Sequence, residues 1–514
     1  MLRKLSTALL FTLLFFSCSK DIDEPVKVLE YDLLSKEAIN QTIYDDLEVN
    51  GIYNWDRASS KMLYSAAMQS DSIYAIGYQI AGMQDLPSKI HEIDIESTEW
   101  IATRDKVLQV ILDGEKANHP GKEIIDLLPH GYPNVTPSMA VHFTNPATIE
   151  KLRNMEEIRY LEAMGYELPP LAAREDNNAV ERSGSGCDNG APSNNINSSD
   201  YTTISPFVKR SWNYASSNIP TAWNTTSGSG VTVAIIDTGV SNDQENLGSQ
   251  FNSGNSSGRF VQRYSTKYSG SWWWRSLDSP HDDCGHGTRM AGIATAPRGS
   301  DGNAVGIAYN ANLIGIRAVS DVIISSSNEK DGVKDALILA GNRSDVKVIS
   351  MSIGTPFYSG TVADGVYFAY NKGKLINAAA GTSFSWTTFV GVIFPATMSQ
   401  CYAITGVKDS NPLTKCHNCH QGSQVQFVMR MQRSSSNSRV ALSVANYSNT
   451  PAYTGGSSCA TASLSGIAAL VFANNPGASR SFVYNALRAN GSYYPNKNGN
   501  LGWGIVDANG AINY

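Results

Sequence analysis

The clearest pattern in the chain is a run of mostly β-branched residues, Val231-Thr232-Val233-Ala234-Ile235-Ile236, that stops at a carboxylate and a turn, Asp237-Thr238-Gly239. β-Branched residues without polar alternation predict a strand covered on both faces, as in a parallel sheet. Val346-Lys347-Val348-Ile349-Ser350-Met351 reads as a second strand and ends in Ser352-Ile353-Gly354. From Gly455 to Gly466 nearly every residue is small, and helical character continues through Ile467–Ala473 until Asn474-Asn475-Pro476, where the proline forbids another turn. Earlier in the chain Trp100, Val107, Leu108 and Ile111 recur at helical spacing, and Ser138–Phe143 alternates like a strand. Asn145-Pro146 opens a helix running to Arg153, and Ile158–Glu162 is a further strand. These elements predict an α+β unit followed by an α/β unit with a mostly parallel sheet. The stretch from 172 to 205 is rich in Asn, Ser, Gly and charge, which marks a flexible linker and a place for cleavage.

Three polar residues stand where such a scaffold presents chemistry. Asp237 ends a strand, and open α/β sheets gather their sites at strand ends. His286 lies in Asp282-Asp283-Cys284-Gly285-His286-Gly287-Thr288, flanked by glycines at the start of another helix. Ser458 lies in the first turn of the small-residue helix, beside unpaired backbone N–H groups and the positive end of the dipole. Asp237-Thr238-Gly239 also matches the short signature of aspartic proteases, but that chemistry needs two carboxylates sharing a proton, and no second such tract is evident.

Asp, His and Ser in this order and these contexts resemble the subtilisin-like serine proteases, or subtilases. The nucleophile block Gly-Thr-Ser-x-Ala-x-Pro of that family fits Gly456-Ser457-Ser458-Cys459-Ala460-Thr461-Ala462, with Ser457 for threonine and Ala462 for proline. His286-Gly287-Thr288 matches closely, with Arg289 where a histidine is common, and the likeness runs from about Trp212 to the C-terminus. The resemblance implies that the α/β unit is a three-layer α/β/α sandwich with a mostly parallel sheet and that it carries a catalytic triad of Asp237, His286 and Ser458, and it selects Ser458 over Ser457, Ser463 and Ser465. It implies an oxyanion hole from the Ser458 N–H and from Thr382, which stands after Ala379-Ala380-Gly381 where the family usually has asparagine. A threonine hydroxyl donates one hydrogen bond on a shorter arm than an amide; Ser383 is the alternative donor. Ser352, Ile353, Gly354, Ala379, Ala380 and Gly381 are the implied substrate-binding positions, pairing with peptide backbone and walling the pocket before the scissile bond. Read as ordinary core strand ends, the same residues are explained almost as well.

The resemblance also gives the first unit a meaning, since its strand-helix-strand ending is similar to subtilase propeptides, which inhibit by laying their C-terminal end in the cleft. An unrelated α+β binding domain is the alternative. The divisions are 1–17, 18–171, 172–205 and 206–514. Arg3 and Lys4 precede an apolar stretch ending in Phe16-Ser17-Cys18, too short to be a good membrane span. It resembles a bacterial lipoprotein signal with Cys18 as the lipidated residue, and Ser19–Glu24 resembles acidic export tracts of Bacteroides-like surface lipoproteins. The expected location is extracytoplasmic, at the outer membrane or surface of a Gram-negative cell.

Cysteines leave more open. Cys416-His417-Asn418-Cys419-His420 contains the c-type haem spacing, yet a disulfide or local metal clip fits the surrounding resemblance better. Cys187, Cys284 and Cys401 have no assignable partner, and Cys459 reads as a small buried hydrophobe. Trp272-Trp273-Trp274 cannot all share one face, which predicts at least one exposed indole. No cofactor is required by this chemistry and no metal ligand set is evident; calcium is left open at the oxygen-bearing turn Asp301-Gly302-Asn303. The 514 residues carry 40 basic and 46 acidic side chains, a net charge of −6, which argues against nucleic acid as partner. Expected partners are a protein or peptide substrate, the chain's own propeptide and the membrane. A degenerate subtilase that binds peptide without cleaving it is the second reading, motivated by Thr382 and the altered flanks of Ser458.

Overall fold

The computed structural model describes residues 32–169, 187, 190–270, 274–382 and 391–514. Its first unit contains α1 (Lys36–Asn50), α2 (Ser60–Met68), the single turn α3 (Leu86–Lys89), α4 (Thr98–Lys116) and α5 (Ala147–Arg153). A three-stranded antiparallel sheet places β1 (Ile73–Tyr78) between β2 (Ser138–His142) and β3 (Ile158–Ala163). α4 buries Trp100, Val107, Leu108 and Ile111, the four positions whose spacing predicted it. They pack with Trp55, Tyr74, Tyr78 and Phe143 in one core, which also takes in Ile338, Phe357 and Phe368 of the second unit.

Charged groups complete that junction. Arg159 forks onto Asp364 at 2.9 and 2.6 Å, and Tyr160 donates to the same carboxylate at 3.0 Å. The Glu162 carboxylate accepts the Gly360 N–H at 2.8 Å, at the start of a helix where N–H groups lack intrahelical partners. A Cβ on Gly360 would lie 2.5 Å from the Tyr160 ring, so only glycine allows this approach. His130 and Asp331 pair across the same junction, and Lys330 donates to the Met164 carbonyl.

The chain between the units is more ordered than its composition suggests. The antiparallel pair β4 (Tyr201–Ile204) and β5 (Val208–Ser211) begins within the stretch expected to be a flexible linker. Just before it, Asp200 is fully buried, bonded to Arg433 at 3.0 Å, to Arg439 at 2.7 and 2.8 Å and to the Tyr453 hydroxyl at 2.7 Å. Asn446 N–H donates to the Gly190 carbonyl at 2.7 Å, and Ser193 N–H to Pro451 at 3.0 Å. Cys187 and Cys284, for which the sequence offered no partner, form a disulfide over a separation of 97 residues. Residues 190–205 are thus a strap folded onto the second unit, because buried ion pairs and backbone bonds outweigh a composition that by itself favours solvation.

After α6 (Ile219–Ala222) the second unit builds a seven-stranded sheet. Its strands are β6 (Thr232–Asp237), β7 (Val261–Ser265), β10 (Asn312–Arg317), β11 (Val346–Met351), β12 (Leu375–Ala379), β13 (Tyr402–Lys408) and β14 (Val425–Gln432). The order is β14-β13-β12-β11-β6-β10-β7, and every neighbouring pair is parallel. The small pairs β8 (Tyr268–Ser269) with β9 (Ser276–Leu277), and β15 (Ala441–Val444) with β16 (Pro451–Thr454), are antiparallel. α7 (His286–Thr295) and α10 (Gly456–Asn474), with α11 (Arg480–Ala489) and α12 (Ala508–Ile512), share one core with Val233 and Ile235 of β6. α8 (Ser327–Asn342) and α9 (Gly360–Asn371) share the opposite core with Ala234 and Ile236. Alternate side chains of one strand therefore enter two cores, which is why the run lacks polar alternation. The result is the three-layer α/β/α sandwich that the resemblance implied.

Candidate active site

β6, an interior strand between β11 and β10, carries Asp237 to its C-terminal end, where the chain turns and leaves room for the start of α7. That approach is close. A Cβ on Gly287 would lie 2.3 Å from the Gly239 carbonyl oxygen, so the residue after His286 has to be glycine. The imidazole consequently reaches the aspartate, with His286 Nδ1 2.7 Å from Asp237 Oδ1. Both are buried, and the Thr238 N–H donates to the same carboxylate oxygen at 2.8 Å. A carboxylate on Nδ1 fixes the tautomer that leaves Nε2 as the proton acceptor and stabilises a protonated ring.

Asp282, fully buried, is the residue that places α7 and that sequence reasoning passed over. Its Oδ1 accepts the N–H groups of Cys284 and Gly285 at 3.0 and 2.8 Å and the Thr238 hydroxyl at 2.9 Å. Its Oδ2 accepts from Thr288 N–H at 2.8 Å and the Thr288 hydroxyl at 2.7 Å. A carboxylate in front of a helix whose first residue is four positions on is the signal that could have found it. Asp321 was also missed. Burial raises its carboxyl above the usual range, and the Val322 N–H and then His286 oppose that rise without cancelling it.

Ser458 stands in the first turn of α10, half-buried, whereas its neighbour Ser457 is fully buried. Exposure thus separates the two serines in the same sense as the register of the motif. The Ser458 hydroxyl points at the Ser352 carbonyl, 3.5 Å away, and the Ser352 hydroxyl donates to the Ser458 carbonyl at 3.0 Å. Among the described residues Ser458 makes no hydrogen bond to His286; such bonds are commonly loose without substrate and tighten in its presence. Cys459, beside it, is buried and free, its thiol pushed up to about 12 by burial.

Thr382 is half-buried at the end of the segment that follows β12, and its hydroxyl lies 3.0 Å from that of Ser457. Ser383 lies outside the described residues. Ser352, Ile353, Gly354, Ala379, Ala380 and Gly381 are all buried. The Gly354 N–H already donates to Val322 and its carbonyl accepts from Ile324, each at 3.0 Å, so this residue has no free edge. Ile393 N–H donates to the Ala380 carbonyl at 3.0 Å, and a Cβ on Gly354 would lie 2.6 Å from the Ile393 side chain. Residues 392–394 therefore run between the two segments expected to wall the pocket. A cavity of about 220 Å³ lies between Tyr166-Glu167-Leu168 of the first unit and Asp321, Ile323 and Thr355.

Cys416 and Cys419 form a disulfide, one of the alternatives the sequence left open, and Cys401 is free and buried. Trp272 and Trp273 lie outside the described residues; Trp274 is 80% exposed. Asp301 accepts the Asn303 N–H at 3.1 Å, the geometry of a turn, and no group of three or more His, Cys, Asp or Glu side chains suited to a metal occurs among the described residues.

Two outcomes follow from these contacts. Replacing Asp282 by Ala leaves several buried donors unmatched and should lower stability by about 2–4 kcal/mol; a loss below about 1 kcal/mol on urea unfolding would contradict the capping role. His420, which donates its N–H to the Gly381 carbonyl at 2.9 Å, is held by burial at about 4 against an ordinary value of 6.5, with the Gly391 backbone pulling weakly the other way. The unfolded chain then binds more protons than the folded one between those values, so the contribution is complete above 6.5 and is lost as pH falls toward 4. The thermal midpoint of wild type should drop through this window, and that of His420→Gln should drop measurably less; parallel curves would be the contrary result.

Comparison with known proteins places this arrangement. The sequence profile described as the subtilase family matches residues 228–504, more than half of the chain. A thermophilic serine proteinase of Bacillus sp. (strain AK1) is 29% identical over 254 residues, 49% of this chain and 54% of that protein. Thermitase of Thermoactinomyces vulgaris is 31% identical over 185 residues, 36% of this chain and 59% of that one. The chain thus spans a little over half the length of these relatives. A solved protease structure from Pseudoalteromonas arctica PAMC 21717 aligns with a TM-score of 0.46 and 22% identity, covering 59% of this chain and 96% of that chain. With the matched profile running over the strand that ends in Asp237, the helix that begins at His286 and the helix that carries Ser458, the chain belongs to the subtilase family.

Proposed function

We propose that this protein is a serine endopeptidase that hydrolyses peptide bonds in extracytoplasmic proteins or peptides. The observation that carries the reading is the buried Asp237–His286 contact of 2.7 Å on the same face of the sheet as α10, whose half-exposed Ser458 is the nucleophile. Ser458 Oγ attacks the scissile carbonyl while His286 Nε2 takes its proton, giving a tetrahedral intermediate and then an acyl-enzyme. The same proton goes to the departing amine, and water repeats the sequence to release the acid. Asp237 keeps the imidazole oriented and stabilises its transient charge. The Ser458 N–H and the Thr382 hydroxyl receive the oxyanion. Ser352–Gly354 and Ala379–Gly381 border the acyl side of the site as packed walls, with the backbone of Gly354, Ala380 and Gly381 already engaged by Val322, Ile324, Ile393, Ile404 and His420.

In this reading residues 18–171 are a propeptide. Support comes from the junction of β3 with α9 and from the position of Tyr166-Glu167-Leu168 against Ile323 and Thr355, at the C-terminal ends of sheet strands. Cys18 lies outside the described residues. It is proposed as the lipidated N-terminus of a surface lipoprotein on the strength of the sequence before it.

A second reading, a peptide-binding protein without turnover, is favoured by the Ser458 hydroxyl facing Ser352 instead of His286. Labelling with a fluorophosphonate decides between them. Processed wild-type protein should label, and Ser458→Ala should neither label nor cut its own N-terminal unit; an unlabelled processed wild type would sink the hydrolase reading. For the anchor, mass spectrometry of membrane-extracted protein should find a diacylglyceryl group on Cys18, and an unmodified mature N-terminus elsewhere would refute it.

A further inference from the structure

The Cys416-His417-Asn418-Cys419-His420 tract is absorbed by none of the chemistry above, yet it lies against the oxyanion side of the site. After β13 the chain doubles back. Lys408 N–H donates to the Thr414 carbonyl at 2.9 Å, and Cys416 N–H to the Gly406 carbonyl at 3.0 Å. The disulfide then closes a four-residue turn, within which Cys419 N–H donates to the Cys416 carbonyl at 3.1 Å. Both sulfurs pack on Gly406, where a Cβ would lie 2.9 Å from Cys419 Sγ and 3.2 Å from Cys416 Sγ. Gln432 ties the turn from outside by accepting the His417 N–H at 2.7 Å.

The far end of this ring is what touches the site. Cys419 pairs with Thr382 as an antiparallel bridge, and His420 N–H donates to the Gly381 carbonyl at 2.9 Å. The Thr405 hydroxyl donates to the His420 carbonyl, which keeps residue 420 on β13. Thr382 is therefore held by β12 on one side and by the disulfide turn on the other. Beside it opens a cavity of about 430 Å³ walled by Cys416, His417 and Gln432 on one side and by Gly455 and Gly456 on the other. The two walls meet at Thr382, whose hydroxyl reaches Ser457.

An asparagine in this place would reach the oxyanion through a longer side chain with its own torsions. A threonine hydroxyl has one carbon of reach and a single restricted χ1 torsion, so where it can point is decided by that rotamer and by the backbone at residue 382 that carries it. Oxyanion donors act only when placed within a fraction of an ångström before the reaction. We propose that the Cys416–Cys419 disulfide is a positioning element for Thr382, the covalent clamp that lets a short hydroxyl serve where the family usually has an amide. The inference rests on the hydrolase reading of the preceding subsection. The disulfide touches no substrate atom and acts through the backbone pairing of Cys419 and His420 with Thr382 and Gly381.

The test is a double-mutant cycle on protein expressed as the full chain and allowed to mature, with a chromogenic peptide anilide as substrate. Thr382→Ala should lower kcat on the order of 10²-fold, the scale of one lost oxyanion donor. Cys416→Ser combined with Cys419→Ser should lower kcat by about tenfold or more with KM within about twofold, since only transition-state contacts are lost. In the Thr382→Ala background, removal of the disulfide should change kcat by less than about twofold, because the group it positions is gone. Equal losses in both backgrounds, an undiminished kcat without the disulfide, or an unchanged kcat in Thr382→Ala would each overturn the positioning role while leaving the hydrolase reading intact. If the cysteine variant fails to fold, Gln432→Ala keeps both cysteines, frees the His417 N–H, and should show the same dependence on Thr382. A wild type that neither hydrolyses the anilide nor labels with fluorophosphonate would overturn both readings together.

Discussion

The start of α7 poses the constraint on which the rest of the site depends. A helix N-terminus has N–H groups without intrahelical partners, and here it is buried at the end of β6, where water cannot satisfy them. Asp282 resolves this by accepting three backbone N–H groups and two hydroxyls on its two oxygens. One of those hydroxyls, on Thr238, also accepts the Gly287 N–H at 2.9 Å, which joins the turn after β6 to the first turn of α7. Aspartate strand and histidine helix are thereby fixed to each other before any contact between Asp237 and His286 is counted. The 2.7 Å bond between that pair is a result of the clamp rather than its cause.

A similar logic governs the junction of the two units. Arg159, Tyr160 and Glu162 on β3 meet Asp364 and the start of α9, again a helix N-terminus that needs an acceptor. Burial raises the Glu162 carboxyl against the pull of the Gly360 N–H and Lys330. Buried charges of this kind contribute little net stability, because desolvation offsets most of the attraction, but they penalise every misaligned docking. The apolar part, with Ile338, Phe357 and Phe368 entering the first unit's core, supplies the adhesion. Polar contacts set the register and apolar contacts the strength.

Much of this was legible in the sequence. Val231–Ile236 announced a strand buried on both faces, and Gly455–Gly466 announced a helix able to lie close to the sheet. Asp237, His286 and Ser458 could be picked out because each sits at the end of an element with a strong local pattern. Asp282 escaped because its role is to satisfy donors that exist only once α7 is folded and buried. The Cys187–Cys284 bond escaped because pairing over 97 residues leaves no local trace. The strap at 190–205 was read as linker from its composition, while its order comes from partners such as Arg433 and Arg439 more than two hundred residues away. Ile393, between the segments expected to wall the pocket, belongs to a connection whose path the strand pattern does not determine.

The Cys187–Cys284 bond has a topological consequence for any chain that is cut once. The described first unit ends at 169 and the strap is fastened at 187, so the bond divides the intervening backbone from everything downstream. A cut before Cys187 leaves two pieces joined only by noncovalent contacts, and the first can depart. A cut after Cys187 leaves the first unit linked through sulfur to the residue two before His286, unable to diffuse away unless that bond is reduced. The same hydrolytic event is thus a release on one side of a single residue and a reducible leash on the other.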